Sequence, residues 1–156
     1  SNSNDNLIGF LPYKEGLQTI VSSKFGKGFV ADLKEIQTSQ KKGKQLFNLK
    51  PGDQLLCVTD KVDTHIACLT KNSKLLIFET KDLPVLKKGG GVQLQKIKKE
   101  ETLSDVQTFN LLDGITWKIG SQLRNEKNID FWIGKRFQAG KKVPKRFNKN
   151  LKFYNE

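Results

Sequence analysis

Residues 21–27 read Val21-Ser22-Ser23-Lys24-Phe25-Gly26-Lys27, a short apolar stretch that ends in a polar turn with a glycine. The same arrangement returns at intervals of 47 residues, as Cys68-Leu69-Thr70-Lys71-Asn72-Ser73-Lys74 and as Ile115-Thr116-Trp117-Lys118-Ile119-Gly120-Ser121. A second apolar stretch follows each turn, although the third copy is weak. Gly, Asn and Ser suit tight hairpin turns. The pattern predicts a β-hairpin that repeats three times along the chain.

A second shared feature follows each hairpin. Basic residues surround glycine at 41–44 and 87–90, and Ile133-Gly134-Lys135-Arg136 fills the third place. Further apolar segments then predict strands, at 46–49 and 54–59 in the first unit and at 92–97 and 106–109 in the second. Each unit is therefore predicted to contain about four short strands.

Four-stranded units that repeat every 40 to 50 residues or so are typical of propeller-like blades, which need neighbours to bury their faces. The repeats are predicted at about 17–63, 64–110 and 111–140. Since a closed propeller needs about four blades or more, the chain is predicted to form about three blades or part of a larger disc. Residues 1–6 are polar and are predicted to be a disordered leader or a cloning remnant.

The charge favours a polyanionic partner. The 156 residues include 28 Lys and Arg against 16 Asp and Glu, a formal net charge of +12. Residues 131–156 alone hold eight basic residues and one acidic residue, so this basic C-terminal tail, 132–156, carries more than half of the net charge. Such a balance suits nucleic acid or an anionic surface. Packing against the last blade is favoured over base stacking for the aromatic residues of this region, which are Phe131, Trp132, Phe137, Phe147 and Phe153.

Little in the sequence points to catalysis or to a metal. Cys57, Cys68 and the single His65 offer no zinc-ligand spacing, and both cysteines lie in apolar stretches typical of core thiols in a reducing compartment. Residues 134–142 resemble a phosphate-binding loop poorly, because five residues separate the glycines and Lys142 replaces the Ser or Thr. No apolar run approaches the roughly 20 residues of a membrane-spanning helix, and no secretory signal is visible.

The quoted repeats, with Lys42-Gly43-Lys44-Gln45-Leu46-Phe47-Asn48-Leu49-Lys50-Pro51-Gly52-Asp53 and 132–141, resemble the C-terminal domain of the A subunit of bacterial type IIA topoisomerases. The resemblance covers about residues 7–153, and its last stretch is most similar to topoisomerase IV. It implies an all-β fold, a β-pinwheel over 7–156 whose blades exchange strands with their neighbours.

The resemblance also implies a function and partners. The domain would bind and bend duplex DNA without sequence preference and present it to the catalytic core of the same chain, which works with an ATPase B subunit in the bacterial cytoplasm at the nucleoid. The segment itself would need no cofactor, because the catalytic tyrosine and the ATP and Mg sites of the family lie elsewhere. No membrane partner is expected.

If blades surround an axis, Lys24, Lys71 and Lys118 occupy equivalent positions and form a stripe along one rim, and such a stripe can follow a phosphate backbone. Carried over from the family, the candidate DNA-binding residues are those of the turns and connections and those of the C-terminal region: Lys24, Lys27, Lys41, Lys42, Lys44, Lys71, Lys74, Lys87, Lys88, Lys135, Arg136, Lys141, Lys142, Lys145 and Arg146.

Gyrase carries a Gln-Arg-Arg-Gly-Gly-Lys-Gly box, and the nearest stretch here, 40–46, keeps Gln, a basic pair and one Gly. This departure favours topoisomerase IV, with relaxation and decatenation as the implied activities, over supercoiling.

The alternative from another class of protein is a propeller-type interaction module whose basic rim binds an acidic protein.

Overall fold

The structure, a computed structural model, describes residues 17–33, 46–59 and 62–155. Its regular elements are short β-strands and single 3-10 turns, the latter at Thr80–Asp82, Leu111–Asp113 and Asp130–Trp132. The strands are β1 (Leu17–Ser23), β2 (Lys27–Leu33), β3 (Leu55–Val58), β4 (His65–Thr70), β5 (Lys74–Glu79), β6 (Val85–Leu86), β7 (Val92–Gln93), β8 (Leu103–Phe109), β9 (Ile115–Ile119), β10 (Gln122–Glu126) and β11 (Lys141–Lys142).

The three predicted hairpins are present as β1–β2, β4–β5 and β9–β10. In the first two, Ile20 pairs with Val30 and Ala67 pairs with Ile77, 47 residues further on. Their turns close through residues with positive φ, Gly26 at 92° and Ser73 at 63°. Positive φ is typical of residues in tight turns, so the sequence pattern of the repeat reflects turn geometry.

A third strand lies beside each of the first two hairpins. β3 pairs antiparallel with β1, and β8 pairs antiparallel with β4. Both pairings contain a register shift at the end nearer the turn, between Ser22 and Ser23 and between Leu69 and Thr70. The strands predicted at 54–59 and 106–109 are therefore confirmed, and the second extends further toward its N-terminus than predicted.

The outermost strands come from the following unit. β6 pairs parallel with β2 and β7 pairs antiparallel with it, although both follow the second hairpin in sequence. In the same way, Ile133 forms a parallel bridge to Ile77 and β11 pairs antiparallel with β5. Each of the first two blades is thus completed by a segment of the next repeat, as the resemblance implied.

The sheets and the sequence repeats do not coincide, because strand exchange adds strands of the following repeat to each of the first two sheets. The first sheet has five strands, the second has four, and β9 and β10 form a two-stranded sheet within the described residues. The strands predicted at 46–49 and 92–97 are also reduced, to a single bridge between Phe47 and Gly89 and to the two residues of β7.

Residues 92–97 bond to two different parts of the chain. Leu94 N donates to Gly26 O (2.7 Å), whereas Lys96 N donates to Gln138 O (3.0 Å). The backbone N–H groups of Leu94 and Lys96 therefore bond to two different neighbours, the first turn and the third repeat. The segment joins blades and does not form a continuous ladder.

The core consists of layers between blades. Consecutive residues of β4 and of β5 are buried. Because alternate residues point to opposite sides of a strand, both faces of these strands lie in the core. Ile66 and Cys68 pack with Ile20 of the first sheet and with Leu94, which follows β7. The residues of the opposite face, Ala67, Leu69, Leu75 and Ile77, pack with Ile115, Trp117, Ile129 and Phe153. The all-β, propeller-like fold is confirmed.

Residues 143–155 pack against the second and third blades. Val143, Phe147 and Phe153 join the core layer around Trp117, whose Nε1 donates to the carbonyl of Arg146 (3.0 Å). The buried carboxylate of Asp105 accepts from the backbone N–H groups of Phe153 (2.8 Å) and Val106 (2.9 Å). Burial raises the pKa of Asp105, and these donors and Lys152 oppose the rise. This region is part of the folded disc.

Candidate nucleic-acid interface

The two turn lysines, Lys24 and Lys71, are brought close together by the packing of adjacent blades. Leu103 N donates to Lys24 O (2.8 Å), and Lys71 N donates to Thr102 O (2.9 Å). Two consecutive residues of the chain therefore link the two turns. Both lysine side chains are exposed. The predicted alignment of these two positions along one rim is thus observed in the first two blades.

The lysines that follow the turns occupy equivalent positions at the start of the second strand. Lys27 N donates to Ser23 Oγ (3.2 Å), and Lys74 N donates to Thr70 Oγ1 (3.1 Å). Lys27 pairs with Gln93, whereas Lys74 pairs with Lys142 of the exchanged strand. Strand exchange therefore places a second lysine directly beside Lys74, at the edge of the second blade.

The segment 133–142, which joins the third repeat to the second blade, continues this basic surface. Arg136 Nη1 donates to Gln93 O (2.8 Å), which fixes the guanidinium beside β7. The ammonium of Lys141 lies 4.4 Å from the ring centroid of Phe131, within range of a cation–π interaction. We call this surface the basic rim; it comprises Lys24, Lys27, Lys71, Lys74, Lys135, Arg136, Lys141 and Lys142.

The remaining candidates lie elsewhere or outside the described residues. Lys87 and Lys88 are exposed on the loop after β6, next to Gly89, whose carbonyl accepts from Asn48 N (2.8 Å). Lys145 and Arg146 are exposed beside the third hairpin, next to Trp117. The positions of Lys41, Lys42 and Lys44 fall outside the described part of the chain.

Lys118 departs from the prediction. The third hairpin closes more tightly than the first two, with Ile119 paired to Gln122, so Lys118 lies within β9 opposite Leu123 and not in the turn. Its ammonium lies 5.9 Å from the ring centroid of Tyr154. The repeat of turn lysines therefore covers two blades, and the expectation of a third equivalent turn lysine is wrong.

Three lysines that were not among the candidates lie next to the rim. Lys96, Lys98 and Lys99 are exposed and line a groove of about 630 Å³ together with Phe25 and Phe137. The run Lys96-Ile97-Lys98-Lys99 is visible in the sequence, but it falls outside the repeated turn pattern. Only the packing of the first turn against the third repeat shows that it belongs to this surface.

The aromatic residues of 131–153 divide into two groups. Packing, the favoured interpretation, holds for Trp132, Phe147 and Phe153, which join the core layer around Trp117. It does not hold for Phe131 and Phe137, which are 59% and 52% exposed. Two rings next to the basic rim are therefore available to a ligand.

Ion pairing between the described residues lies away from the basic rim. The ion pair between Lys81 Nζ and Glu79 Oε2 (3.0 Å) lies at the opposite end of β5 from the turn. Within the described ranges, no residue of the basic rim forms an ion pair. A surface of closely spaced, solvated cations attracts polyanions and releases their counterions on binding.

The described residues contain no group of three or more His, Cys, Asp and Glu side chains placed to hold a metal ion. His65 Nδ1 lies 2.9 Å from Thr64 Oγ1, and Cys68 is fully buried, where desolvation raises the pKa of its thiol. None of the described helical segments has the length and apolar character needed to cross a membrane.

Comparison with known proteins defines the class. The family described as "DNA gyrase C-terminal domain, beta-propeller" matches residues 19–58 and 64–110, so the chain belongs to this family. The resemblance to the C-terminal domains of type IIA topoisomerases is thereby confirmed.

Individual relatives narrow the likeness to one branch. The chain is 37% identical over 150 residues to the A subunit of DNA topoisomerase 4 from Rickettsia bellii (strain RML369-C), and the match covers 96% of this chain and 20% of that protein. It is 34% identical over 148 residues to the A subunit of the same enzyme from Caulobacter vibrioides, with 94% and 19% covered. The chain therefore spans about one fifth of the length of these curated relatives.

Solved structures support the fold. The C-terminal domain of DNA topoisomerase IV superposes with a TM-score of 0.66 at 18% identity, covering 86% of this chain and 43% of that chain. The E. coli ParC C-terminal domain superposes with a TM-score of 0.63 at 19% identity, covering 86% and 58%. The architecture is therefore that of known type IIA topoisomerase C-terminal domains.

Proposed function

We propose that the chain is a duplex-DNA-binding module of a topoisomerase IV A subunit that binds the phosphate backbone without reading sequence. The observation that carries the proposal is the placement of Lys24 and Lys71 side by side on adjacent blades. Strand exchange adds Lys141 and Lys142 to the same rim. Lysines contact phosphates as point charges, and phosphate contacts position DNA without specifying its sequence.

The arrangement of the blades supports a further role in bending. Cations that follow the curved edge of a disc favour a DNA path that curves with it, since each further contact offsets part of the bending energy. The family membership supports the remainder of the proposal. The module would present a bent duplex to the catalytic core of the same chain, for ATP-dependent relaxation and decatenation together with the ATPase B subunit.

The cofactors and the cellular location belong to the same proposal. ATP and Mg would act in other parts of the enzyme, as they do in the family that the chain resembles. The expected location is the bacterial cytoplasm, where the nucleoid supplies the duplex.

Binding of random-sequence duplexes to the 156-residue chain tests the proposal. We expect several unrelated duplexes of equal length to bind with similar affinity, and the logarithm of the affinity to fall linearly with the logarithm of salt concentration, by about 0.9 for each phosphate contacted. Fluorescence anisotropy over a salt series measures both quantities. A flat salt response, or retention of an acidic protein without retention of DNA, would favour the interaction-module alternative.

A further inference from the structure

The groove beside the basic rim combines two kinds of chemistry. Phe25 projects from the tip of the first turn and Phe137 from segment 133–142, and each lines the groove with a half-exposed ring, 42% and 52% exposed. Lys96, Lys98 and Lys99 line the same groove. The groove therefore combines planar apolar surfaces with cations.

The backbone fixes the position of Phe25. Its N–H donates to Asp53 Oδ1 (3.0 Å), and its carbonyl accepts from Gln93 Nε2 (3.0 Å). The equivalent position in the second turn is Asn72, so the turn geometry itself does not require an aromatic residue. The ring is an addition to a turn that is held by its backbone.

Phe137 is held in a conformation that costs free energy. Its φ is +74°, a region in which residues other than glycine are uncommon. The Phe137 N–H donates to Leu94 O (2.9 Å), which keeps the backbone in place. The corresponding position of the second repeat, 48 residues earlier and in register through the bridges to β2 and β5, is Gly89. A large exposed ring at a position suited to glycine indicates a functional constraint.

The charged side chains of the groove suit both phosphates and base edges. Lys96, Lys98 and Lys99 contribute three positive charges, and the guanidinium of Arg136 lies nearby, bonded to β7. Glu100 and Glu101 also line the groove, and Glu101 Oε1 accepts from Lys98 N (3.2 Å). Carboxylates can accept hydrogen bonds from exocyclic amines of bases. The faces of the bases of an intact duplex are stacked on each other and cannot reach the two rings.

We propose that this groove binds unpaired DNA bases, with Phe25 and Phe137 stacking on bases and Lys96, Lys98 and Lys99 contacting the adjoining phosphates. The inference rests on the proposed function, because it treats the groove as an extension of the DNA-binding rim. It adds a second ligand, a single-stranded or locally unpaired segment. Base–aromatic stacking tolerates any sequence, in agreement with the lack of sequence readout at the rim.

Binding of an oligothymidylate of about 12 nucleotides, within the usual range of single-strand site sizes, tests the inference. Phe25→Ala removes one ring from an exposed turn. Phe137→Gly removes the other and relieves its positive φ, so this variant is expected to remain folded. Leu112→Ala is the control, since it removes an exposed apolar side chain (83% exposed) outside both the groove and the basic rim.

We expect each groove variant to weaken single-strand binding by roughly 5- to 100-fold, and to leave affinity for a duplex of equal length within about twofold. The control variant should bind both ligands as the unmodified chain does. A single strand carrying 2-aminopurine should lose fluorescence on binding, and this quenching should be smaller in each groove variant than in the unmodified chain.

Two results would overturn the inference: single-strand affinity unchanged in both groove variants, or single-strand and duplex affinity reduced by the same factor. If the unmodified chain binds no duplex, the proposed function itself fails. The two failures are therefore distinguishable, because the duplex measurement judges the rim and the ratio of the two affinities judges the groove.

Discussion

Gly140 and Gly120 both have a positive φ, 83° and 60°, but their surroundings differ. A Cβ on Gly140 would lie 2.6 Å from the carbonyl oxygen of Leu75, whereas a Cβ on Gly120 would meet no atom within 4 Å. Gly140 immediately precedes β11, so the close approach occurs where the exchanged strand reaches the second blade. The residue is small because another backbone passes next to it.

This contrast gives a prediction. Gly120→Ala should lower the free energy of unfolding by about 1 to 2 kcal/mol, the cost of the left-handed conformation alone. Gly140→Ala should lower it by about 2 to 5 kcal/mol, because steric overlap with Leu75 adds to the same cost. Urea denaturation of both variants measures the difference. Equal losses would show that β11 does not enter the second blade as described.

At the scale of residues, the sequence showed which lysines repeat along the chain better than it showed where each lysine lies in the fold. Lys24 and Lys71 were identified from their spacing, and they lie together because the spacing reflects equivalent turns. Lys118 shares the spacing but not the geometry, because the third turn is shorter. Lys96 has no repeated counterpart at a turn, and its place in the groove depends on a hydrogen bond to Gln138, a residue of the third repeat.

At the scale of elements, the structure most changes the interpretation of the region 132–156. Its eight basic residues predict an electrostatic role, but Phe153 is 5% exposed and packs in the layer that contains Trp117 and Ile115. Deletion of the region would remove β11 and part of the core together with the charge. A loss of DNA binding after such a deletion would therefore not measure electrostatics alone.

Substitution of single aromatic residues tests this role in folding. Phe153→Ala should lower the free energy of unfolding by about 3 to 5 kcal/mol, as expected for a buried phenylalanine. Phe131→Ala, at a ring that is 59% exposed, should lower it by less than about 1 kcal/mol. Thermal or urea denaturation provides the comparison. Similar small effects for both variants would indicate that 143–155 does not contribute to the core.

Strand exchange could not be derived from the residues alone. A sequence repeat of 47 residues is compatible with two arrangements. A segment can pair with the hairpin of its own repeat or with the hairpin of the preceding repeat, and both arrangements bury the same apolar faces. The resemblance implied exchange, and the pairing of β6 with β2 and of β11 with β5 confirms it. The hairpins and inner strands were predictable because they depend on local turns and alternation.

At the scale of the whole molecule, the blades arrange charge that is dispersed in the sequence. The net charge of +12 alone indicates a polyanion and does not locate its binding surface. Packing of adjacent blades brings Lys24 and Lys71 to either side of residues 102–103, and strand exchange adds Lys142 beside Lys74. The proposed duplex binding therefore depends on the relative placement of the blades.

The most direct test of this central claim is the salt dependence of duplex affinity in charge-neutralised variants. Lys24→Gln with Lys71→Gln should reduce the slope of log affinity against log salt by about 2, roughly one for each phosphate that is no longer neutralised, for every duplex sequence tested. Lys81→Gln, an exposed lysine at the opposite end of β5, is the matched control and should leave the slope unchanged. A double variant with the slope of the unmodified chain, or a control with an equal reduction, would contradict the account.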